Sequence, residues 1–338
     1  METQKINTAV VILNWNGIDW LKKFLPVIID KSPMANIYIA DNASDDNSVE
    51  YVNSTFPSVN IIQNFYNDGY AKGYNDALSK LTEKYFILIN SDIEVTDNWI
   101  EPIINLMEDD ESISACQPKI LDYNNRNKFE YAGASGGYID NLGYPFCRGR
   151  IFETLEKDNN QYDDITEVFW ASGACLFIRS AHFNEVNGFD NDFFAHQEEI
   201  DLCWRLKNKG YKIMVNPNSI VYHVGGGTLD SSSPFKTYLN FRNNLFMLFK
   251  NLPAIELVKT ILIRLILDGV AGLKFVTKQK GLRHVLAILR AHIVFYLTIP
   301  HLIIKRQKIN QSSVLSGKYK WSILYKYYFK DKKKYSEL

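Results

Sequence analysis

The sequence has few cysteines, and none of them lies near another. Its 338 residues contain only Cys116, Cys147, Cys175 and Cys203. Cysteine-based metal sites and redox motifs need close pairs, which this spacing excludes. We expect four buried thiols in a reducing compartment. The N-terminus also lacks the basic and apolar segments of a signal peptide, so we expect a cytoplasmic protein.

Acidic residues are scarce in the last third of the chain. Residues 235–338 contain 20 Lys and Arg but only 4 Asp and Glu, a net charge of +16, whereas residues 1–234 carry −16. The overall charge of zero therefore conceals a basic C-terminal region. Such a region is typical of a surface that meets anionic partners, either membrane headgroups or nucleic acid. We set the boundary between two predicted domains at residue 234.

No segment has 20 consecutive residues without a charge, although a spanning helix needs about that length. The apolar stretches 255–276 and 285–304 are interrupted by charged or polar residues, and only the second approaches a span. Residues 238–249 predict an amphipathic helix with Arg242, Asn243 and Asn244 on its polar side. We expect this region to attach to the surface of an anionic membrane. A helical dimer surface is the alternative.

Four short apolar runs alternate with amphipathic helical patterns in the first hundred residues. The runs are Ala9–Leu13, Ile37–Ala40, Val59–Ile62 and Phe86–Ile89. They are too short for helices and typical of strands buried on both faces. Their alternation with helices predicts an α/β fold with a doubly wound, mostly parallel sheet.

Polar clusters follow three of these strands. They begin at Asn14, Asp41 and Asn90, and the last one ends in the carboxylate of Asp92. Open α/β sheets bind ligands at the carboxyl ends of their strands. Asp92 is suited to a divalent cation that bridges to phosphates. A simple Asn/Ser/Asp turn is the alternative.

The segment Asn67–Asn75 is rich in small residues and leads into a helix. It matches neither the Walker loop nor the dinucleotide-binding glycine fingerprint. Small residues at positions 69, 71 and 73 predict that backbone N–H groups at the helix start approach a diphosphate.

The second half of the predicted catalytic domain is less regular. Residues 122–166 are polar and Gly-rich without a helical period, which predicts irregular strands and a loop. Residues 168–178 predict a bent strand or strand pair, and 213–215 and 220–223 predict two short strands. A helix containing Glu198, Glu199 and Asp201 lies between them. These acids suit either the helix dipole or a catalytic carboxylate.

Seven motifs in a fixed order resemble the family 2 glycosyltransferases with the GT-A fold, especially bacterial rhamnosyltransferase-like members. The motifs are Leu13–Gly17, Asp41–Asp45, Asn67–Asn75, Asn90–Asp92, Gly188–Asp190, Glu198–Arg205 and His223. The resemblance extends from about Ala9 to about Asn244, and a helical region follows the GT-A fold.

The resemblance implies roles for individual residues. For the nucleotide-sugar donor it implies Asn14, Asn16, Asp41, Asn67, Gly69, Gly73, Asn75, Asn90 and Ser91. Asp92 would hold Mg²⁺ or Mn²⁺, with His223 as a further ligand or a structural residue. Glu199 would be the general base. The implied acceptor residues are Trp170, Gly173 and Glu198, the first two with core packing as the alternative.

The expected enzyme is therefore a metal-dependent inverting glycosyltransferase. It would move a sugar from a UDP- or dTDP-sugar to a hydroxyl of a glycan or lipid-linked acceptor in cell-surface polysaccharide synthesis, at the inner face of the plasma membrane. A retaining mechanism would need a carboxylate nucleophile, for which the sequence offers no candidate. A nucleotidyltransferase and a non-catalytic sugar-binding protein are the alternatives. We expect no nucleic acid partner.

Overall fold

The computed structural model describes residues 7–225, 233–276, 281–312 and 315–338. Its strands are β1 (Thr8–Asn14), β2 (Asn36–Asp41), β3 (Asn60–Gln63), β4 (Tyr85–Asn90), β5 (Ile93–Val95), β6 (Ile113–Asp122), β7 (Gly137–Asp140), β8 (Pro145–Cys147), β9 (Arg150–Ile151), β10 (Thr154–Leu155), β11 (Thr166–Val168), β12 (Cys175–Arg179), β13 (Lys212–His223) and β14 (Lys318–Tyr319). Its α-helices are α1 (Ile18–Asp30), α2 (Ser48–Thr55), α3 (Gly69–Leu78), α4 (Glu101–Asp109), α5 (Ser180–Glu185), α6 (Glu198–Asn208), α7 (Pro234–Asn251), α8 (Ala254–Val276), α9 (Gly281–Arg306) and α10 (Ile323–Phe329).

The central sheet has the strand order β11-β13-β6-β12-β4-β1-β2-β3, with β5 beside β13. Strands β1 to β4 are mutually parallel, and β13 is parallel to β6. Strand β12 runs antiparallel between β4 and β6, so the sheet is mixed. The prediction of an α/β fold with a largely parallel sheet is confirmed. The antiparallel β12 was not expected.

Both faces of this sheet are buried. In β1, Ala9 and Val11 pack into one hydrophobic cluster, while Val10 and Ile12 pack into the other. Side chains alternate between the two faces of a strand, so helices must cover both sides. This arrangement explains why the predicted strands are uninterrupted apolar runs.

Strand β13 corrects the prediction of two separate short strands. It runs continuously over 12 residues, and its pairing with β6 shifts register between Asn216 and Ile220. Pro217 lies in this interval and lacks the N–H that a regular ladder requires. The bulge therefore divides the apolar pattern without ending the strand.

A second, smaller sheet has the order β10-β9-β8-β7-β14. Strands β7 to β10 come from the segment predicted as irregular strands, whereas β14 comes from near the end of the chain. Lys318 and Tyr319 of β14 pair in parallel with Ile139 and Asp140 of β7. The boundary at residue 234 stays a prediction, because the C-terminal region also contributes a strand to this sheet.

Helix α8 has an inverted distribution of polar and apolar side chains. Its buried residues are Thr260, Arg264, Asp268 and Gly272, spaced four apart. The exposed residues between Lys259 and Lys274 are all apolar or glycine: Leu262, Leu265, Ile266, Gly269, Val270 and Leu273. A helix that faces water shows the opposite pattern.

The buried polar stripe of α8 is satisfied inside the protein. Arg264 and His292 of α9 bind opposite oxygens of Asp268, at 3.2 Å and 3.1 Å. Arg264 also donates to the Leu142 backbone oxygen at 3.2 Å. In the described part of the chain, α9 is the one helix long and apolar enough to cross a membrane by length and composition.

Candidate functional site

The ends of β1 and β2 form a hydrogen-bonded polar group. Asn14 and Asp41 are both buried, and Asn14 Nδ2 donates to Asp41 Oδ1 at 3.0 Å. Ser44 donates to both Asp41 oxygens, from its hydroxyl at 2.6 Å and from its backbone N–H at 3.0 Å. Asn14 Oδ1 is buried without a partner. The predicted pair is therefore adjacent, with one acceptor atom left for a ligand.

Asn16 borders the same pocket on its exposed side. It lies in the left-handed region, with φ of 51°, and its amide bonds Asp45 through Nδ2 at 2.5 Å and through Oδ1 at 2.9 Å. Ser91 also approaches this point, since a Cβ built on Gly17 would lie 3.6 Å from Ser91 Oγ and 2.6 Å from Asn14 Oδ1. The polar ends of β1, β2 and β4 thus meet, as the sequence predicts.

The start of α3 does not have the free N–H groups that the sequence predicts. Gly69 N donates to Asn67 Oδ1 at 3.2 Å, and Tyr70 N donates to Phe194 O at 2.6 Å. Gly69 has φ of +86°, and a Cβ there would lie 2.4 Å from Phe194 O. The small residue therefore permits close packing against the loop before α6, and the diphosphate contact of this segment stays a prediction.

Gly73 and Asn75 serve packing within the protein in the same way. A Cβ on Gly73 would lie 2.5 Å from the Asn42 amide at the end of β2. Asn75 Nδ2 donates to Phe189 O at 2.8 Å, and Asn75 Oδ1 accepts from Phe189 N at 2.9 Å. Asn75 therefore fixes the turn at Gly188–Asp190, and its amide is engaged there rather than free for a ribose or diphosphate.

Asp92 and His223 are in contact and both are buried. His223 Nε2 lies 3.1 Å from Asp92 Oδ1 and 3.4 Å from Asn90 Nδ2. On the other side of the ring, His223 Nδ1 lies 3.3 Å from Glu130 Oε1. Burial alone would lower the pKa of His223, but Glu130 and Asp92 outweigh it and raise the pKa to about 10. Glu130 was missed because no motif marks it in a Gly-rich segment.

This donor set fits a divalent cation that displaces the proton of His223, because only the neutral imidazole has a nitrogen lone pair for a metal. Among the residues that the structure describes, no group of three His, Cys, Asp or Glu side chains forms a complete metal site. Asp92 and His223 nevertheless bring a carboxylate oxygen and an imidazole nitrogen together, and Glu130 adds a second negative charge. Carboxylate and imidazole ligands both suit Mn²⁺, and carboxylates suit Mg²⁺.

Glu198 and Glu199 begin α6, and each has a buried Oε2 without a partner. Burial raises the pKa of Glu199 to about 7. Burial and the neighbouring Glu199 hold the pKa of Glu198 well above its usual range. At neutral pH Glu199 is therefore close to its titration point, which suits a general base.

The loop before α6 is held in an unusual conformation. Phe194, His196 and Gln197 all have left-handed backbones, with φ of 62°, 71° and 73°. Asn243 of α7 donates to the backbone oxygens of Phe193 and Ala195 at 2.9 Å and of His196 at 2.8 Å. Strained backbone persists where its surroundings hold it. Asn243 is fully buried rather than on a solvated face, so the sequence missed this role.

Trp170 and Gly173 have different environments. Trp170 is 2% exposed, and its Nε1 donates to Tyr138 O at 2.9 Å. This placement favours the core-packing alternative for Trp170. Gly173 is partly exposed, its backbone oxygen accepts from Tyr70 OH at 2.7 Å, and a Cβ there would lie 3.6 Å from Glu199 Cβ. Gly173 therefore lies directly beside the candidate base.

The base and the metal motif are linked through one short segment. Asn90 N donates to Ala174 O at 3.0 Å, and Gly173, the preceding residue, borders Glu199. The carboxyl end of β4 and the start of α6 thus meet at Gly173–Ala174. A donor held near Asp92 would lie close to an acceptor held near Glu199.

Comparisons with known proteins agree with this arrangement. The model of the family described as "Glycosyl transferase family 2" matches residues 9–183, slightly more than half of the chain. The N-acetylglucosaminyl-diphospho-decaprenol L-rhamnosyltransferase of Mycobacterium tuberculosis is 24% identical over 233 residues, which cover 63% of this chain and 75% of the relative. Rhamnosyltransferase WbbL of Escherichia coli is 23% identical over 215 residues, covering 62% and 80%.

Two solved structures share the fold. GalNAc-T7 with UDP, GalNAc and Mn²⁺ has a TM-score of 0.58 and 17% identity, with 75% of this chain and 49% of that chain covered. The mannosyltransferase PcManGT from Pyrobaculum calidifontis, in complex with GDP-Man and Mn²⁺, has a TM-score of 0.52 and 12% identity, covering 90% and 74%. The chain thus spans about half the length of the first structure.

The motifs, the fold and the family match agree, and the chain belongs to glycosyl transferase family 2 as a rhamnosyltransferase-like glycosyltransferase with an α/β GT-A fold.

Proposed function

We propose that this glycosyltransferase is metal-dependent and inverting, and that it transfers a sugar from a UDP- or dTDP-sugar to a hydroxyl of a glycan or lipid-linked acceptor in cell-surface polysaccharide synthesis. The observation that carries the proposal is Glu199, whose Oε2 has no partner and whose pKa is raised to about 7. A base with this pKa is half ionised at neutral pH.

The donor would bind along the ends of β1, β2 and β4. The unpaired Asn14 Oδ1 offers an acceptor for the N–H of a pyrimidine ring, and Asp41 orients Asn14 through their hydrogen bond. Asp92 and His223 would hold a divalent cation, which supplies positive charge against the departing nucleoside diphosphate. Both structural neighbours contain Mn²⁺ and a nucleotide, and we propose the same class of ligands here.

Glu199 would take the proton of the acceptor hydroxyl as that oxygen attacks the anomeric carbon of the donor. The bond from the sugar to the diphosphate breaks on the opposite side, so the configuration inverts. Glu198 would form a hydrogen bond with the acceptor sugar. The M. tuberculosis relative is named for a diphospho-decaprenol acceptor, and we propose an acceptor of this lipid-linked class.

Two substitutions test the chemistry. Glu199→Gln keeps the side-chain shape, so donor binding should be retained while the transfer rate falls by roughly 10²–10⁴. The matched control is Glu198→Gln, which should have a smaller effect. If Glu198→Gln were the damaging change, the base would be wrongly assigned.

Metal dependence has its own test. Asp92→Ala should abolish Mn²⁺-dependent binding of UDP, measured by calorimetry with and without a chelator. Full transfer activity in the presence of the chelator would contradict the role of Asp92.

We also propose that the exposed face of α8, together with α9, lies on an anionic membrane. An exposed apolar stripe of this kind is typical of a membrane or protein contact. Lys259 and Lys274 end the stripe on α8, and Arg283 and Arg290 are exposed on α9. A second copy would bring like charges together, whereas anionic headgroups complement them. All four cysteines are buried free thiols, which supports the cytoplasmic face.

Sedimentation with vesicles tests this surface. The full chain should bind phosphatidylglycerol vesicles more strongly than phosphatidylcholine vesicles, and high salt should weaken the binding. Leu262→Glu with Ile266→Glu places two charges on side chains that are 58% and 68% exposed, so the fold should survive while binding falls at least about tenfold. Ile165→Glu, at another exposed apolar residue, is the control.

Two results would contradict the membrane proposal. One is binding that the double variant leaves unchanged. The other is a dimer in lipid-free solution that the same double variant dissociates, which would assign the surface to self-association instead.

A further inference from the structure

Arg150, at the start of β9, is a buried arginine without an oxygen partner. Its side chain donates only to a sulfur, from Nη2 to Cys147 Sγ at 3.5 Å. Its Nε is buried and unpaired. No Asp or Glu carboxylate among the described residues lies within 4.0 Å of its guanidinium. The residue is only 7% exposed, so its guanidinium is largely removed from bulk water.

The other buried arginines bind oxygen atoms. Arg148 donates to Asp164 at 2.8 Å, Arg179 to Ile113 O at 2.9 Å, Arg205 to Asp201 at 2.8 Å and Arg264 to Asp268 at 3.2 Å. Arg150 is therefore the exception among five buried arginines of the described chain. A buried charge without a counter-charge is destabilising, which makes its retention a sign of a ligand.

Glu130 stabilises the positive charge of Arg150 from a distance, but no carboxylate of the described residues contacts the guanidinium. Burial raises the pKa of the Cys147 thiol, so the sulfur is uncharged at neutral pH. The Tyr131 ring lies over the guanidinium, with its centroid 4.5 Å from Cζ. Tyr131 is 49% exposed, and a ligand would reach Arg150 past this ring. The guanidinium is thus packed against an aromatic ring, and its Nε has no hydrogen-bond acceptor.

Arg150 is connected through a short segment to both the metal pair and the candidate base. Tyr131 follows Glu130, the residue that contacts His223 at 3.3 Å. The next residue, Ala132, accepts a hydrogen bond from Ser172 Oγ at 3.0 Å, and Ser172 precedes Gly173 beside Glu199. The segment 130–133 therefore connects Arg150 with the metal pair and with the base.

We propose that Arg150 binds a phosphate oxygen of a diphosphate. A guanidinium presents paired N–H donors that match phosphate oxygens in a bidentate arrangement. Two sources have this chemistry: the nucleoside diphosphate of the donor and the diphosphate that links an acceptor sugar to its lipid. The choice between these two diphosphates rests on the proposed function. The proposal that Arg150 binds phosphate is independent of that function.

The experiment compares Arg150→Gln with Arg148→Gln, a matched change in the same sheet. Thermal unfolding of the full chain comes first. Arg148→Gln leaves Asp164 without its partner and should lower Tm. Arg150→Gln breaks no ion pair and no hydrogen bond to oxygen, so it should lower Tm less than Arg148→Gln does. A fall in Tm equal to that of Arg148→Gln would assign Arg150 a structural role and overturn the proposal.

Calorimetry then measures binding of two probes, UDP with Mn²⁺ and farnesyl diphosphate, a short polyprenyl diphosphate. Arg150→Gln should weaken one of them at least about tenfold, as expected for a lost charge-assisted contact. A loss for farnesyl diphosphate assigns Arg150 to the lipid-linked acceptor, and a loss for UDP assigns it to the donor. Arg148→Gln should weaken neither probe.

Three outcomes would overturn the proposal. In the first, Arg150→Gln leaves the binding of both probes unchanged. In the second, Arg150→Gln weakens the binding of both probes and of inorganic sulfate equally. In the third, the wild-type chain binds neither probe. Because the readout is binding, a protein that binds farnesyl diphosphate through Arg150 but transfers no sugar would contradict the proposed function alone.

Discussion

The pH dependence of transfer gives a quantitative test of Glu199 as the base. Burial raises the pKa of this carboxyl from an ordinary 4.5 to about 7. The pKa of Glu198 is raised well beyond its usual range by burial and by Glu199. Glu198 therefore favours its uncharged form more strongly than a free carboxyl does.

The expected magnitude follows from the ionised fraction of Glu199. With a pKa of about 7, roughly one tenth of the enzyme is ionised at pH 6 and roughly one hundredth at pH 5. We expect kcat/KM to fall about tenfold for each pH unit below 7. A carboxyl with the ordinary pKa would still be almost fully ionised at pH 6, so the two cases differ about tenfold there.

The assay measures kcat/KM from pH 5 to 9 at a fixed, saturating concentration of Mn²⁺. Glu198→Gln should retain a midpoint near 7, because burial alone raises the pKa of Glu199. Glu199→Gln should be slow and lack the acid limb. A profile that stays level down to pH 5 would refute the raised pKa, and loss of the acid limb in Glu198→Gln would refute its assignment to Glu199.

Unfolding does not account for this acid limb. The folded state raises the pKa of Glu199, so it favours the protonated form. The contribution of Glu199 to stability is therefore fully present below pH 4.5 and is lost as the pH rises through about 7. Acid conditions protonate the base without destabilising the fold through this group, and circular dichroism across the same range checks that the enzyme stays folded.

Three further substitutions test the supporting structure. Lys250→Met leaves Asp190 and Asp201 buried without their shared partner, and urea unfolding should show a loss of about 3–5 kcal/mol; a loss under about 1 kcal/mol would show that the network contributes little. Asn243→Ala removes the hydrogen bonds that hold the loop before α6, which leads into Glu199. We expect kcat to fall about tenfold or more while the KM for the donor stays constant. An equal rise in that KM would argue against a role limited to positioning the base. Gly69→Ala puts a Cβ 2.4 Å from the Phe194 backbone oxygen, at a φ of +86°. This substitution should lower the free energy of unfolding by about 1–3 kcal/mol. An unchanged Tm would contradict the close packing at Gly69.

Local sequence was sufficient where one strand determines its own surroundings. The apolar run Phe86–Ile89 can be stable only with both faces covered, and it is the centre of β4 with both faces buried. The polar residues after it have to lie at the sheet edge, which is why Asn14, Asp41 and Asp92 could be predicted together. The motif order was likewise enough for the family.

Contacts between distant segments could not be predicted in this way. The sequence gives no sign that Phe194 O would occupy the N–H groups at the start of α3, because the partner lies over 120 residues away. The same holds for Glu130 beside His223 and for Asn243 beneath the loop before α6. Each of these side chains acquires its role from a neighbour that only folding brings near.

The sequence by itself determined the apolar strands β1 to β4, the sheet edge at which their polar ends meet, the basic charge of the C-terminal region and the family, since these follow from local apolar patterns, composition and motif order. The tertiary structure alone decided which groups have no partner. Arg150 and the two glutamates of α6 are unpaired because of what surrounds them, and the outward apolar face of α8 depends on Arg264 and Asp268 binding inward. Hydrogen bonding and burial are properties of the whole packed chain, so they become visible only when all segments are in place.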